Sequence, residues 1–166
     1  MQQNKNIVVG ALASAIILGG IIWLGNAQKA DSPGKNSSAA GGGLAAEEEN
    51  FDFGKISMAA GNVRHAFKIK NAGAEPVTVN KIYTSCMCTA ATLKTAAGEW
   101  GPFGMPGHGF TPKLNIKLAS GEETELEAVF DPAAHGPAGV GPIERVIYLD
   151  TDRGVKELKI KAIVTP

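Results

Sequence analysis

The chain's two cysteines, Cys86 and Cys88, lie one residue apart in the segment TSCMCT at 84–89. If this segment is extended, residues i and i+2 project from the same face, so both sulfurs point the same way. Two soft sulfurs on one face either chelate a metal ion or close into a strained, easily reduced disulfide. The pair therefore indicates where chemistry takes place, but not which substrate or partner it serves.

Histidine and methionine residues extend the cysteine pair to a candidate metal site. Glycines and prolines in the loop GPFGMPGHG at 101–109 would hold that loop in one shape beside the cysteines. Thiolate, imidazole and thioether together suit Cu(I), whereas two thiolates with two imidazoles suit Zn(II). The one-residue spacing is shorter than in most structural zinc sites, so the methionines favour copper over zinc. The predicted ligands are Cys86, Cys88, His108, His135 and Met105.

The same pair supports a second hypothesis, a thiol–disulfide redox site that uses Cys86 and Cys88. A disulfide across one intervening residue closes a small ring, and strain in that ring raises its reduction potential. The sequence lacks the βαβ context and the two-residue spacing of thioredoxin-like motifs. A static disulfide, or small core cysteines beside ordinary loop histidines, are the structural alternatives.

Composition and missing motifs exclude several classes of function. The 166 residues carry a formal net charge of zero, so no basic surplus exists to neutralise nucleic-acid phosphates. Ser85 lacks the G-x-S-x-G context of a nucleophile, and the glycine-rich loop lacks the Lys-Ser/Thr of a nucleotide-binding loop. The segment DTDRG at 150–154 resembles a calcium loop, but Lys161 stands where that loop requires Glu. We therefore expect a non-catalytic protein without nucleotide or nucleic-acid partners.

An uncharged run, IVVGALASAIILGGIIWL, lies near the start of the given sequence, at 7–24. As a helix it would span about 27 Å, close to the ~30 Å hydrocarbon thickness of a bilayer. Trp23 lies at its far end, where interfacial aromatic residues are enriched. Residues 1–25 are predicted to be a retained anchor in the cytoplasmic membrane, with a cleaved signal peptide as the alternative. An anchor of this kind commonly exports the domain that follows it, so we expect residues 51–166 outside the cytoplasm.

Residues 26–50 are rich in Gly, Ala, Ser and Glu, which predicts a flexible linker because such a segment buries little apolar surface. From residue 51 onward apolar and polar residues alternate, as in Phe67 and Ile69 against Lys68 and Lys70. Turn signals recur between these runs, and no helix of usable length is indicated. The pattern predicts an all-β fold, an immunoglobulin-like antiparallel β-sandwich of about seven strands over 51–166.

A series of motifs occurs in a fixed order: FDFG at 51–54, FKIKNAG at 67–73, TSCMCT at 84–89, and GE and VFD near 121–131. In this order they resemble a bacterial extracytoplasmic family of unknown function, related to Hydin-type immunoglobulin-like domains of cilia- and centrosome-associated proteins. That family usually has Gly where this chain has Met87, and the GPFGMPGHG loop resembles a subfamily feature. The resemblance implies an immunoglobulin-like module with no established activity. Its partner would be an unidentified protein or envelope component.

Overall fold

The computed structural model describes residues 43–166, which form ten strands and two short 3-10 turns. The predicted anchor at 7–24 and most of the predicted linker lie outside the described residues. Within residues 43–166, no helix is long and apolar enough to cross a membrane. The strands are β1 (Leu44–Ala46), β2 (Asn50–Ser57), β3 (Val63–Asn71), β4 (Val77–Thr84), β5 (Thr89–Thr95), β6 (Gly98–Phe103), β7 (Ile116–Leu118), β8 (Glu123–Phe130), β9 (Gly141–Thr151) and β10 (Gly154–Thr165), and the turns are Met58–Ala60 and Gly136–Gly139.

The strands form two five-stranded sheets, one in the order β1-β3-β8-β5-β6 and the other in the order β2-β10-β9-β4-β7. The predicted all-β, two-sheet architecture is confirmed. Two details of the prediction are wrong: the strands number ten within the described part, and β2 pairs with β10 in parallel. Short strands such as β1 and β7, each of three residues, are too brief for an alternating pattern to reveal them.

The core lies between the two sheets, and the alternation read from the sequence places its side chains correctly. In β3, Phe67 and Ile69 are buried while Lys68 and Lys70 are exposed. Because successive strand residues point to opposite faces, one apolar face per strand supplies the core. Fully buried side chains come from both sheets, among them Phe67, Ile69, Leu93, Leu126, Ile82, Leu149, Leu158 and Ile160.

A bulge in β4 determines which residues lead into the cysteine segment. Val77 and Val79 are buried, the pairing with β9 then shifts between Val79 and Lys81, and Ile82 and Thr84 are buried after it. The bulge is visible in the sequence as a change of phase, because the apolar positions 77 and 79 are followed by Ile82 rather than by an apolar residue at 81. As a result, β4 ends with the Thr84 side chain pointing into the core, directly before the cysteines.

The folded domain begins before residue 51. The predicted boundary between linker and domain, at residues 50 and 51, is therefore wrong. Leu44 is buried in the core, and β1 pairs with the end of β3. The three glutamates that follow each contact a side-chain nitrogen of the folded domain, although Glu47 and Glu48 remain exposed to solvent; Glu48 Oε1, for example, lies 2.7 Å from His65 Nε2. A run of three glutamates indicates a solvated segment by composition alone, because their partners are distant in sequence. The loop predicted at 101–109 is likewise shorter, since Gly101 to Phe103 belong to β6.

Candidate functional site

Cys86 and Cys88 lie in the turn between β4 and β5 and are joined by a disulfide. The Cys86 carbonyl accepts a hydrogen bond of 3.2 Å from the Thr89 N–H, so Met87 and Cys88 are the central residues of a tight turn. The Cα atoms of the cysteines are 5.3 Å apart, against about 6.7 Å for two residues along an extended strand. The segment is therefore not extended, and the sulfurs meet because the backbone turns.

Two hydroxyl residues hold this turn in place. The Thr84 hydroxyl lies 2.9 Å from the Cys86 carbonyl oxygen and 3.0 Å from the Thr89 carbonyl oxygen, close enough to donate to either. The Ser85 N–H donates to the Val146 carbonyl, and the Ser85 hydroxyl accepts from the Val146 N–H, both at 2.9 Å. Thr84 thus fastens the turn from the core side, while Ser85 ties it to β9.

The two sulfur-bearing residues differ in their exposure to solvent. Cys88 is 3% exposed and packs with the core, whereas Cys86 is half-buried. Met87, between them, is 56% exposed. The disulfide therefore has one side in the protein interior and one side that solvent can reach.

Arg145, near the start of β9, lies beside the buried sulfur. Its Nε–H donates to Cys88 Sγ at 3.2 Å, and its Nη1–H donates to the Glu144 carbonyl at 2.9 Å. A guanidinium is always charged, so it would stabilise a thiolate at Cys88. The sequence does not indicate this residue, because an arginine at the start of the apolar run RVIYL carries no signal of a distant sulfur.

His135 lies beside the other sulfur, with its Nε2 atom 3.2 Å from Cys86 Sγ. The connection between β8 and β9 carries this histidine and is fastened to the cysteine turn. The Asp131 N–H donates to the Cys88 carbonyl at 2.9 Å, and the Asp131 carboxylate accepts from the Ala133 N–H at 2.8 Å. These two hydrogen bonds fix a tight turn after Asp131, and this turn places the exposed His135 next to Cys86.

Three of the predicted metal ligands come together. The ligand atoms of Cys86, Cys88 and His135 all lie within 4.8 Å of one another, and this group, found among the described residues, does not include His108. His108 is exposed on the segment 104–110 that follows β6, called here the inserted loop, and its backbone N–H donates to the Met105 carbonyl at 3.1 Å. Met105 is half-buried at the start of the same loop.

Backbone hydrogen bonds join the two ends of the inserted loop to each other and attach the loop to the end of β4. The Gly104 N–H donates to the Phe110 carbonyl at 3.1 Å, and the Thr84 N–H donates to the Gly104 carbonyl at 3.2 Å. A Cβ atom on Gly109 would lie 2.8 Å from the Gly104 Cα, so this crossing requires glycine. Phe103, the last residue of β6, is buried in the core, whereas Phe110, at the other end of the loop, is 64% exposed.

One family model matches part of the chain, residues 44–104, and it is described as "Protein of unknown function (DUF1573)". The match supports the predicted resemblance to a family of unknown function. The matched residues begin at 44, before the first motif of that resemblance at 51, and end at 104, before its last motifs near 121–131. It includes both cysteines, while His135 and Arg145 lie beyond it. No curated protein matches the chain.

Among solved structures, a protein of unknown function from Porphyromonas gingivalis W83 is similar, with a TM-score of 0.54 and 17% identity over 77% of this chain and 51% of that one. The VesB protease of Vibrio cholerae gives a TM-score of 0.45 and 15% identity over 75% of this chain and 32% of that one. The ASH/PapD-like domain 7 of human CEP192 gives 0.44 and 9% identity over 83% and 96%. The chain thus spans about half of the Porphyromonas protein and about a third of the protease. At these low sequence identities, the similarity describes the fold and not the function.

Proposed function

We propose that this chain is a membrane-anchored, extracytoplasmic, immunoglobulin-like binding module whose reduced Cys86, Cys88 and His135 bind a Cu(I) ion. The observation that carries the proposal is the convergence of two sulfurs and one imidazole nitrogen within 4.8 Å. Metal–sulfur bonds are about 2.3 Å long, so two thiolates on one ion lie farther apart than two bonded sulfurs. The disulfide must therefore be reduced before the ion binds.

The number of ligands favours copper over zinc. Structural Zn(II) sites are almost always four-coordinate, and Cys86, Cys88 and His135 supply three ligand atoms. Soft thiolates select Cu(I), so three ligands that include two thiolates suit this ion better.

The charge at the site also favours a monovalent ion. Two thiolates and a neutral imidazole around Cu(I) carry one net negative charge, which the guanidinium beside Cys88 neutralises. With Zn(II), the same set would leave one positive charge beside the core, which is costly where Cys88 is buried.

A matched pair of histidine variants tests the proposal. The full chain, purified in detergent micelles and reduced without oxygen, is titrated with Cu(I) against a competing chelator. We expect one ion per chain, and the loss of at least about tenfold in affinity in His135→Ala, because this variant removes a direct ligand. His108→Ala serves as the control and should retain the affinity of the unsubstituted chain.

Two results would contradict copper binding by Cys86, Cys88 and His135. The first is a reduced chain that binds no copper. The second is an affinity lost with His108→Ala and kept with His135→Ala. A parallel titration with Zn(II) should give the weaker binding, and tighter zinc binding would reverse the choice of metal.

A second function, thiol–disulfide exchange, is favoured by the disulfide between Cys86 and Cys88 and by the unequal exposure of the two residues. Reversible exchange needs one sulfur that a partner can reach, and Cys86 meets this need. Incubating the oxidised chain with dithiothreitol and counting the free thiols tests this function. A disulfide that resists an excess of dithiol in the folded chain would exclude it.

The membrane location is proposed from the uncharged run at 7–24 and from the disulfide, since disulfides persist mainly outside the cytosol. We expect the full chain to remain in membranes washed at alkaline pH. We also expect an externally added protease to degrade the C-terminal domain in spheroplasts. A chain released by the alkaline wash, or protected until the cells are lysed, would contradict this location.

A further inference from the structure

We propose that the disulfide is opened from one side: a thiolate of a protein dithiol attacks Cys86 Sγ, and Cys88 Sγ leaves as a thiolate beside Arg145. This inference rests on the second function proposed above, thiol–disulfide exchange. It adds the direction of attack, a role for Arg145 that the sequence does not indicate, and the chemical class of the partner.

The direction follows from the exposure of the two cysteines. An incoming thiolate must approach the attacked sulfur along the S–S axis, from the side that faces away from the leaving sulfur. Cys88 is 3% exposed and packed in the core, so an attack there would require the sandwich to open. Cys86 is half-buried, and exposed Met87 and His135 lie beside it, which makes this the accessible end.

The leaving group is stabilised by a contact that is already formed. The Arg145 Nε–H donates to Cys88 Sγ at 3.2 Å, and the Nη1–H bond to the Glu144 carbonyl holds the guanidinium in that position. A thiol leaves faster when its thiolate is more stable, and a neighbouring guanidinium stabilises the thiolate. Without this cation, a thiolate at Cys88 would form in the core without compensation.

The second step, which resolves the mixed disulfide, involves the contact between His135 and Cys86. In the mixed disulfide, the partner's second thiolate attacks the partner's own sulfur, and Cys86 Sγ leaves as a thiolate. The Nε2 atom of His135 lies 3.2 Å from Cys86 Sγ, so an Nε2–H can donate a hydrogen bond to the departing thiolate. Overall, two electrons pass from the partner dithiol to this chain, the partner becomes a disulfide, and its two thiol protons pass to solvent. This chain becomes the reduced dithiol, with Cys88 as a thiolate beside Arg145 and Cys86 free to take up a proton from solvent. That dithiol is the form in which the two sulfurs and His135 are free to bind metal.

A trapping experiment tests the direction. The oxidised full chain in detergent micelles is mixed with glutathione as the thiol probe, quenched within the reaction time by an alkylating agent, and digested for mass spectrometry. We expect glutathione on Cys86 and the alkyl group on Cys88. Equal labelling of the two cysteines, or the reverse pattern, would overturn the proposal.

Substitution tests the role of Arg145. We expect Arg145→Gln to slow the opening by dithiothreitol by about tenfold or more, and Arg145→Lys to restore part of the rate because it keeps the charge. Arg64→Gln is the matched control, since Arg64 is an exposed arginine paired with Glu127 on β8. An unchanged rate in Arg145→Gln would contradict the assignment.

A spectroscopic measurement separates an electrostatic role from a purely structural one. In Cys86→Ser, the remaining thiol is Cys88, and its thiolate can be followed by ultraviolet absorbance as the pH rises. We expect the thiolate to form at lower pH in Cys86→Ser than in Cys86→Ser combined with Arg145→Gln. Coincident titration curves would exclude stabilisation of the thiolate by Arg145.

The outcomes distinguish this inference from the function on which it rests. If neither glutathione nor dithiothreitol opens the disulfide of the folded chain, exchange itself fails, and the inference fails with it. If the disulfide opens but the adduct forms on Cys88, or if Arg145→Gln reacts at the unsubstituted rate, exchange stands and the inference fails. Copper binding by the reduced chain is decided separately, by the two histidine variants.

Discussion

At the scale of single residues, Thr84 shows how one side chain can set the geometry of the site. It is 1% exposed, and its hydroxyl lies within 3.0 Å of the carbonyl oxygens of Cys86 and Thr89, at the two ends of the cysteine turn. A hydroxyl donor held in an apolar core gives these carbonyls a partner that solvent cannot supply. The order of residues in TSCMCT therefore has a physical reason, because the first threonine fixes the turn that brings the sulfurs together.

Replacing Thr84 by Val should lower the free energy of unfolding by about 1.5 kcal/mol, because it removes a buried donor and keeps the shape of the side chain. Urea unfolding of the oxidised chain measures the loss. Thr78→Val is the control, since Thr78 is half-buried on the opposite face of the same strand and should change the stability little. Equal losses in both variants would mean that the hydroxyl of Thr84 has no special role.

At the scale of elements, the connection between β8 and β9 delivers His135 to the cysteine turn. Asp131 fastens the start of this connection, and Gly139 closes it against the histidine: a Cβ atom at Gly139 would lie 3.2 Å from the His135 Cβ. The sequence segment DPAAHGPAG indicates a loop but not its direction. The backbone bond from Asp131 to Cys88 determines that this loop, rather than the inserted loop with His108, reaches the sulfurs.

Gly139→Ala should therefore weaken Cu(I) binding several-fold, because the added methyl group pushes the His135 side chain by a few tenths of an ångström. The free energy of unfolding should change little, since Gly139 is outside the core and its φ is one that alanine can adopt. The measurement is the same chelator competition as above, with Ala134→Ser as a control at an exposed position of the same loop. An affinity equal to that of the control would show that the position of His135 tolerates this contact.

At the scale of the whole molecule, the acidic segment ahead of β2 links the two sheets. β1 belongs to the first sheet and β2 to the second, and the glutamates between them pair with both: Glu47 with Lys68 and Glu48 with His65 on β3, and Glu49 with Lys156 on β10. Lys156 is 3% exposed because it lies on the core-facing side of β10, in phase with Leu158 and Ile160. This buried lysine makes Glu49 part of the domain rather than part of the linker.

Glu49→Gln should lower the free energy of unfolding by about 2 kcal/mol, because it leaves the Lys156 ammonium buried without its carboxylate. Lys156→Met should be close to neutral or stabilising, because it removes the buried charge and keeps an apolar stem. Thermal or urea unfolding of the two variants provides the contrast. If Lys156→Met is the more destabilising of the two, the ion pair contributes net stability and this reasoning is wrong.

The sequence by itself was sufficient to predict an all-β, two-layer domain and the inward face of β3. These features repeat every two residues, so a short stretch of chain contains the whole signal. It was also sufficient to single out the two cysteines. It could not predict the short strands β1 and β7, whose pairing depends on neighbours elsewhere in the sheets.

Only the tertiary structure decided which groups meet the sulfurs. His135 and Arg145 lie 49 and 57 positions along the chain from Cys86 and Cys88, and His108, nearer in sequence, is not among the ligand atoms that converge. The turn at 86–89, rather than an extended strand, determined how the sulfurs approach each other. Contacts of this kind depend on strand pairing and loop direction, which are set by the packing of the whole sandwich and not by the spacing of residues in a motif.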